Sequence, residues 1–133
     1  MSETPSKPRL LIVDDEAEVR GVLHDLLSGT YECGEAASAE EAIAELREKD
    51  YQLVISDITM SGMSGLEMIP HVNVVSPDTV IVMISGVQTI ESAINTLRLG
   101  AFDYLMKPFD LRQVEAAVSR ALDHHELIVA KRR

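Results

Sequence analysis

Apolar and polar positions alternate along the chain as short apolar runs and longer segments with helical spacing. Apolar runs predict β-strands at 10–13, 53–56, 79–84 and 101–106, and a brief, weaker pattern predicts a further strand at 31–35. Apolar residues three and four apart predict helices at 16–28, from Ser38 onward, at 65–75, around 90–97 and after Asp110. This alternation of five strands with five helices predicts an α/β fold, a doubly wound parallel sheet covered by helices on both faces.

Polar side chains follow four of the five predicted strands. Asp14 and Asp15 come directly after the first strand, and Asp57 after the third. Ser85 follows the fourth strand and Lys107 the fifth. Parallel strands place their carboxyl ends along one edge of the sheet, where ligands bind at the topological switch point. We therefore expect these side chains to share one pocket.

Clustered carboxylates repel one another and stay ionised together only beside a cation. Oxygen ligands with incomplete protein coordination suit Mg²⁺, which often shares its site with a phosphate. A lysine and a hydroxyl beside that cation complete a site for a phosphoryl group, and a carboxylate can itself be the nucleophile.

Each element of this pattern also has a simpler interpretation. Asp14, Asp15 and Glu16 are typical of a helix N-terminus, and Asp57 is typical of a turn. The pair Lys107-Pro108 also suits a turn. The functional hypothesis depends on finding all four strand ends occupied at once.

Composition narrows the class of protein further. The 133 residues carry a net charge of −10, which disfavours direct binding to nucleic acid phosphates. No apolar stretch is long enough for a membrane span, and the first residues lack the apolar core of a signal peptide, so we expect a cytoplasmic protein. The single cysteine, Cys33, excludes an internal disulfide and is expected to be a quiet core thiol.

Four motifs together resemble the receiver domain of bacterial two-component response regulators: "IVDDE" at 12–16, "SDITMSGMSGLE" at 56–67, "VIVMISG" at 80–86 and "GAFDYLMKPFD" at 100–110. The resemblance covers roughly 8–125. It implies a flavodoxin-like sheet with strand order 2-1-3-4-5. Residues 1–7 are then expected to form a disordered leader.

The resemblance also implies a chemistry for the strand-end residues. Asp57 would be the phospho-acceptor, with Mg²⁺ bound directly by Asp15 and through water by Asp14. Asp57 itself and the backbone carbonyl of Thr59 would be further metal ligands. Lys107 would pair with the phosphoryl group. Its bond to Pro108 is expected to be cis.

Two further residues are implied to carry the signal to the surface. Ser85 would be the switch hydroxyl and Tyr104 the switch aromatic, which turns inward when Ser85 moves to the phosphate. The output surface would then comprise the fourth helix, fifth strand and fifth helix, about 88–122. On sequence alone, Tyr104 also fits a half-buried core aromatic.

The sequence departs from the family pattern at two positions. Ser61 stands where the family usually has proline, which predicts a more flexible loop after Asp57. Ser85 stands where threonine is commoner, which removes one methyl group and should leave the switch intact.

The resemblance implies a signalling switch that acts chemically only on itself and so is not an enzyme with an outside substrate. Its expected partners are a sensor histidine kinase or phosphotransfer protein and an output domain in the same chain or another. The helical pattern runs past Leu122 without a Gly or Pro stop, so we expect 126–133 to extend toward an output domain or a homodimer contact.

Other functions fit the sequence less well. An aspartyl-phosphate phosphatase would need a second aspartate where "DIT" has threonine, and a nucleotide- or flavin-binding module would favour a glycine-rich phosphate loop. The remaining alternative is a pseudo-receiver that binds partners without being phosphorylated. The complete set of acids together with Lys107 argues against it.

Overall fold

The computed structural model describes residues 7–87 and 89–131, which form an alternating series of strands and helices. The strands are β1 (Arg9–Val13), β2 (Glu32–Ala36), β3 (Leu53–Asp57), β4 (Val80–Ser85) and β5 (Asp103–Met106). The helices are α1 (Ala17–Leu27), α2 (Ala39–Glu48), α3 (Gly65–Val75), α4 (Ile90–Leu99) and α5 (Leu111–Lys131). Residues 1–6 of the predicted leader and 132–133 of the predicted extension lie outside the described residues.

The strands form one parallel sheet in the order β2-β1-β3-β4-β5. This confirms the doubly wound, flavodoxin-like architecture. The chain leaves β1 toward β2 on one side, and β3 returns to pair with β1 on the other. The switch point of the sheet therefore lies between the carboxyl ends of β1 and β3.

Two hydrophobic cores lie on opposite faces of the sheet because alternate strand residues point to opposite sides. Leu11 and Val13 belong to one core, and Leu10 and Ile12 to the other. Helices α2 and α3 supply the first core with Ala42, Ile43, Leu46, Met68, Ile69 and Val72. Helices α1 and α5 supply the second with Leu23, Leu27, Val114, Val118 and Ala121.

Helix α4 differs from the others because its large apolar side chains face outward. Ile90 is 79% exposed, and Ile94 and Leu97 are each 45% exposed. The buried residue of this helix is Thr96, whose hydroxyl donates a hydrogen bond to the carbonyl of Ser92. The apolar stripe read from the sequence therefore lies on the surface of the fold.

Helix α5 continues to Lys131 without a break. Its 21 residues span about 31 Å at 1.5 Å per residue. Near its end, the ring of His124 stacks on Phe102 at 4.7 Å between ring centroids, a contact that the sequence pattern did not reveal. Within the described residues, no helix combines the length and apolarity needed to cross a membrane.

Local contacts correct several details of the sequence-based assignment. Strand β2 begins at Glu32 rather than Tyr31, because the N–H of Tyr31 donates to the carbonyl of Leu27 and closes α1. Strand β5 begins later than predicted, at Asp103. Cys33 was expected in the core, but it lies half-buried because β2 is an edge strand of the sheet.

Gly65 sets how closely α3 approaches the end of β3. Its N–H donates to the carbonyl of Ile58 at 2.8 Å. A Cβ atom at this position would lie 2.4 Å from the backbone oxygen of Asp57 and 3.0 Å from the Cα of Ile58. Because both neighbours are backbone atoms, a larger residue would force α3 and the end of β3 apart.

We expect Gly65→Ala to lower the free energy of unfolding by about 1–3 kcal/mol through this overpacking. Gly21→Ala on α1 is the matched control, because a Cβ there meets nothing within 4 Å and alanine favours a helix. Urea unfolding of both variants measures the difference. Equal or greater stability of Gly65→Ala would contradict the close approach.

Candidate functional site

The four occupied strand ends meet at one edge of the sheet. Val13 pairs with Ser56, so the residues that follow, Asp14 and Asp57, are neighbours across β1 and β3. On the other side, the backbone N–H of Lys107 donates to the carbonyl of Ser85 at 2.8 Å. The topology thus gathers groups that are far apart in the sequence.

The ammonium group of Lys107 lies among carboxylates. Its Nζ donates to Oδ2 of Asp57 at 3.1 Å and lies 3.7 Å from Oδ2 of Asp14. It also lies 4.0 Å from Oε1 of Glu16. Asp57 and Asp14 are almost fully buried, so solvent screens these attractions only weakly. The peptide bond between Lys107 and Pro108 is cis.

Three acidic side chains can act together on a cation. Carboxylate oxygens of Asp14, Glu16 and Asp57 all lie within 4.8 Å of one another. Together with the single ammonium of Lys107 they leave two formal negative charges, and their oxygen donors are of the type that Mg²⁺ prefers. The residues present therefore fit a divalent cation. Sequence reasoning had treated Glu16 only as a helix-terminus residue, although its place beside "DD" was a usable signal.

Burial and charge shift the protonation of two groups in the site. Burial raises the pKa of Asp14, and the neighbouring Asp57 carboxylate adds to this, while the N–H of Glu16 and the Lys107 ammonium oppose it. Burial alone would lower the pKa of Lys107, but the hydrogen bond to Asp57 and the attraction of the nearby carboxylates raise it instead. The site thus favours a charged lysine beside an acid that is costly to ionise.

Asp15 is not part of this cluster of three acids in the described structure. Its carboxylate is exposed, and its Oδ2 accepts hydrogen bonds from the N–H of Ser61 at 3.1 Å and from the hydroxyl of Ser61 at 3.5 Å. Thr59 follows Asp57, and its N–H donates to Oδ1 of Asp57 at 3.3 Å. Metal binding by Asp15 and by the Thr59 carbonyl stays a prediction.

Arg20 supports the site from α1 and was not found from the sequence. Its guanidinium donates to the backbone carbonyl of Asp14 at 2.6 Å and to Glu35 of β2 at 3.2 Å. It fixes the backbone from which the buried carboxylate projects. A lone arginine on a helix carries no sequence signal for such a contact.

Ser85 and Tyr104 both contact Val87. The fully buried Ser85 hydroxyl oxygen accepts from the Val87 N–H at 2.9 Å. The hydroxyl of the half-buried Tyr104 donates to the Val87 carbonyl. The two predicted switch residues therefore share one backbone partner, although their side chains come from different strands.

Comparison with known proteins agrees with this geometry. Residues 10–119 match the family model of the response regulator receiver domain. The transcriptional regulatory protein ZraR of Salmonella typhimurium is 33% identical over 86% of this chain and 26% of its own length. The DNA-binding transcriptional regulator NtrC of Salmonella typhimurium is also 33% identical, over 86% of this chain and 25% of its own length. The chain thus spans about a quarter of the length of these curated relatives.

A solved structure shows the same fold. The response regulator receiver domain protein (CheY-like) from Methanospirillum hungatei JF-1 superposes with a TM-score of 0.85 at 30% identity. The alignment covers 91% of this chain and 98% of that one. Since the family model covers most of the chain and the sheet has the matching topology, this protein belongs to the response regulator receiver domain family.

Proposed function

We propose that this chain is a phosphoryl-accepting signalling switch in which Asp57 is phosphorylated with the help of Mg²⁺. The observation that carries the proposal is the contact of Lys107 Nζ with Asp57 at 3.1 Å, beside the carboxylates of Asp14 and Glu16. A lysine so placed can pair with a phosphoryl group on Asp57. Acids beside it can hold the cation that phosphoryl transfer requires.

The proposed step is attack by a carboxylate oxygen of Asp57 on the phosphorus of a donor. A bond forms from that oxygen to phosphorus, and the bond from phosphorus to the donor's leaving group breaks. The leaving group takes the electron pair, and the product is an acyl phosphate on Asp57. Lys107 would then balance the charge of the new phosphoryl oxygens, as it now balances the charge of Asp57.

The residues that would hold Mg²⁺ are Asp14, Glu16 and Asp57 from the described cluster, with Asp15 and the Thr59 carbonyl as predicted further ligands. The bound cation would neutralise negative charge that develops on the transferring group. Asp14 would serve in its ionised form, which burial disfavours until a cation is present.

Phosphorylation would be transmitted through Ser85 and Tyr104. A phosphoryl group adds roughly one and a half to two negative charges and several acceptor oxygens. These would draw the Ser85 hydroxyl away from Val87, and Tyr104 would settle into the space it leaves. The signal would be a population shift between two arrangements of one surface.

That surface is formed by α4, β5 and α5, and we name it the α4–β5–α5 face. It holds a cavity of about 740 Å³ bounded by Thr89, Ile90, Leu97, Tyr104 and Met106, among others. Ile90, Leu97 and Met106 are large apolar side chains and are well exposed. Such a patch suits docking of a partner or of an output domain. Gln88, at the start of the predicted output surface, lies outside the described residues.

The proposed partners follow from this chemistry. A sensor histidine kinase or phosphotransfer protein would supply the phosphoryl group, and an output domain or separate protein would read the α4–β5–α5 face. The relatives ZraR and NtrC are transcriptional regulators by name, so an output domain in the same protein is part of the proposal. We place the switch in the cytoplasm, on the sequence arguments above. It would act on no substrate other than its own acyl phosphate.

Intact-mass spectrometry after incubation with acetyl phosphate tests the proposal. We expect one added phosphoryl group on the wild type, only with Mg²⁺ present, and none on Asp57→Ala, because that variant lacks the nucleophile. Asp25→Ala is the matched control, since Asp25 is an exposed acid on α1 that takes no part in the site. An unlabelled wild type, where another receiver is labelled in parallel, would favour the pseudo-receiver.

Replacing the buried Asp14 carboxylate tests the electrostatics of the site. Because burial raises the pKa of Asp14, its ionised form destabilises the metal-free fold at neutral pH. We expect Asp14→Asn to melt at a higher temperature than the wild type at pH 7 without metal. The higher melting temperature of Asp14→Asn should begin to disappear as the pH falls through the raised pKa of Asp14, because the folded wild type then takes up a proton. It should be gone below pH 3.8, the ordinary pKa of an aspartate, where the carboxyl group is protonated in both the folded and the unfolded wild type.

With Mg²⁺ present, we expect the wild type to have a higher melting temperature than Asp14→Asn. A ligand at one hundred times its dissociation constant stabilises the fold by about 2.7 kcal/mol, and Asp14→Asn should lose most of this gain. Asp25→Asn is the control for removing a surface charge. Equal melting temperatures for Asp14→Asn and wild type at pH 7 without metal would show that the buried carboxylate costs the fold nothing.

Sedimentation velocity tests the homodimer that the long α5 and the exposed α4–β5–α5 face suggest. We expect the sedimentation coefficient to rise with concentration once beryllofluoride mimics the phosphoryl group. Ile90→Asp should weaken this association by placing a charge on the apolar patch. A monomer at high concentration with and without beryllofluoride would exclude the dimer and leave an output domain as the proposed partner of the α4–β5–α5 face.

A further inference from the structure

Ser61 forms hydrogen bonds between the two loops that flank the acidic site. Its N–H donates to Oδ2 of Asp15 at 3.1 Å, and its hydroxyl lies 3.5 Å from the same oxygen. Asp15 follows β1, and Ser61 lies in the loop between β3 and α3. One carboxylate oxygen therefore receives both donors of a residue 46 positions away.

These contacts direct the Asp15 carboxylate to the β3–α3 loop, and Asp15 is not part of the cluster of three acids. Oxygens that share one Mg²⁺ lie about 2.0–2.1 Å from the ion, so two of them are at most about 4.2 Å apart. In the part of the chain that the structure describes, the acids grouped within 4.8 Å are Asp14, Glu16 and Asp57, without Asp15. Asp15 can therefore ligate one cation directly together with two of these acids only if its carboxylate or the loops move.

The backbone at this loop does not itself need a serine. Gly62, the next residue, has φ of 78°, the left-handed value typical of the third residue of a type II turn. Ser61 occupies the position before it, where such turns favour proline. Ser61 stands where the family usually has proline, and proline offers neither an N–H nor a hydroxyl to Asp15.

We propose that Ser61 is a positioning residue that holds Asp15 on the β3–α3 loop and thereby weakens Mg²⁺ binding. This inference rests on the proposed function, because it concerns the cation of the same site. When Asp15 moves to ligate the metal, its hydrogen bonds to Ser61 are lost. The free energy of Mg²⁺ binding is therefore less favourable by the free energy of those hydrogen bonds. This chain would need a higher Mg²⁺ concentration to fill its metal site than a variant with proline at position 61.

The test is the dissociation constant of Mg²⁺ alone, measured by amide chemical-shift titration without any phosphoryl donor. Ser61→Ala removes the hydroxyl and keeps the N–H, so we expect tighter binding by about twofold to threefold. Ser61→Pro removes both donors, and we expect tighter binding by about tenfold. Ser61→Thr keeps both donors and should retain the wild-type dissociation constant.

Ser61→Ala carries the test on its own if the proline variant folds poorly, because it leaves the backbone unchanged. Unchanged dissociation constants in both variants would overturn the inference, as would weaker binding, which would make Ser61 an aid to metal binding. If the wild type does not saturate with Mg²⁺ at all, the metal step of the proposed function fails and this inference fails with it. Saturation of the wild type with no response to Ser61 leaves the proposed function standing and removes only the role of Ser61.

Discussion

The attraction between the Lys107 ammonium and the buried carboxylates of Asp57 and Asp14 is the constraint on which the rest of the site depends. The register of β1 with β3 forces those two acids side by side, where they repel each other. Lys107 reaches them from the far side of β4, because β5 is the edge strand beyond it. The ion pairs of this one lysine thus connect the edge of the sheet to its switch point and offset part of the repulsion that the topology creates.

The same arrangement supports the proposal that the site takes a cation and a phosphoryl group together. A protein that needed only stability would gain by replacing a buried acid at the end of β1 with an apolar residue, since burying a charge is costly. Here the acid is kept, its backbone carbonyl is held by Arg20, and its pKa is raised by burial. The negative charge that remains beside Lys107 is what a divalent ion would neutralise. A buried acid that is costly to ionise is therefore consistent with the proposed role of the site in phosphoryl transfer.

Much of this could be predicted because strand ends are marked in the sequence. The apolar runs before Asp14, Asp57 and Ser85 fix the strands, and parallel topology brings their ends together whatever the details of packing. Contacts that depend on side-chain direction could not be read in the same way. Glu16 joins the acids because α1 begins there, and Asp15 turns to Ser61 because the β3–α3 loop passes nearby.

The outward stripe of α4 was unpredictable for a related reason. Ile90, Ile94 and Leu97 have the helical spacing of a core-facing helix, and nothing in the pattern distinguishes a face that packs on the sheet from one left for a partner. The structure buries Thr96 instead, whose hydroxyl is satisfied within the helix. Val87, which lies before this helix, joins the site to that face. Only the two backbone torsions of Val87 separate the peptide that faces Ser85 from the peptide that faces Tyr104. A change in either torsion of Val87 would move one of these peptides relative to the other, so this one residue links the contact of the buried Ser85 hydroxyl to the contact of the half-buried Tyr104.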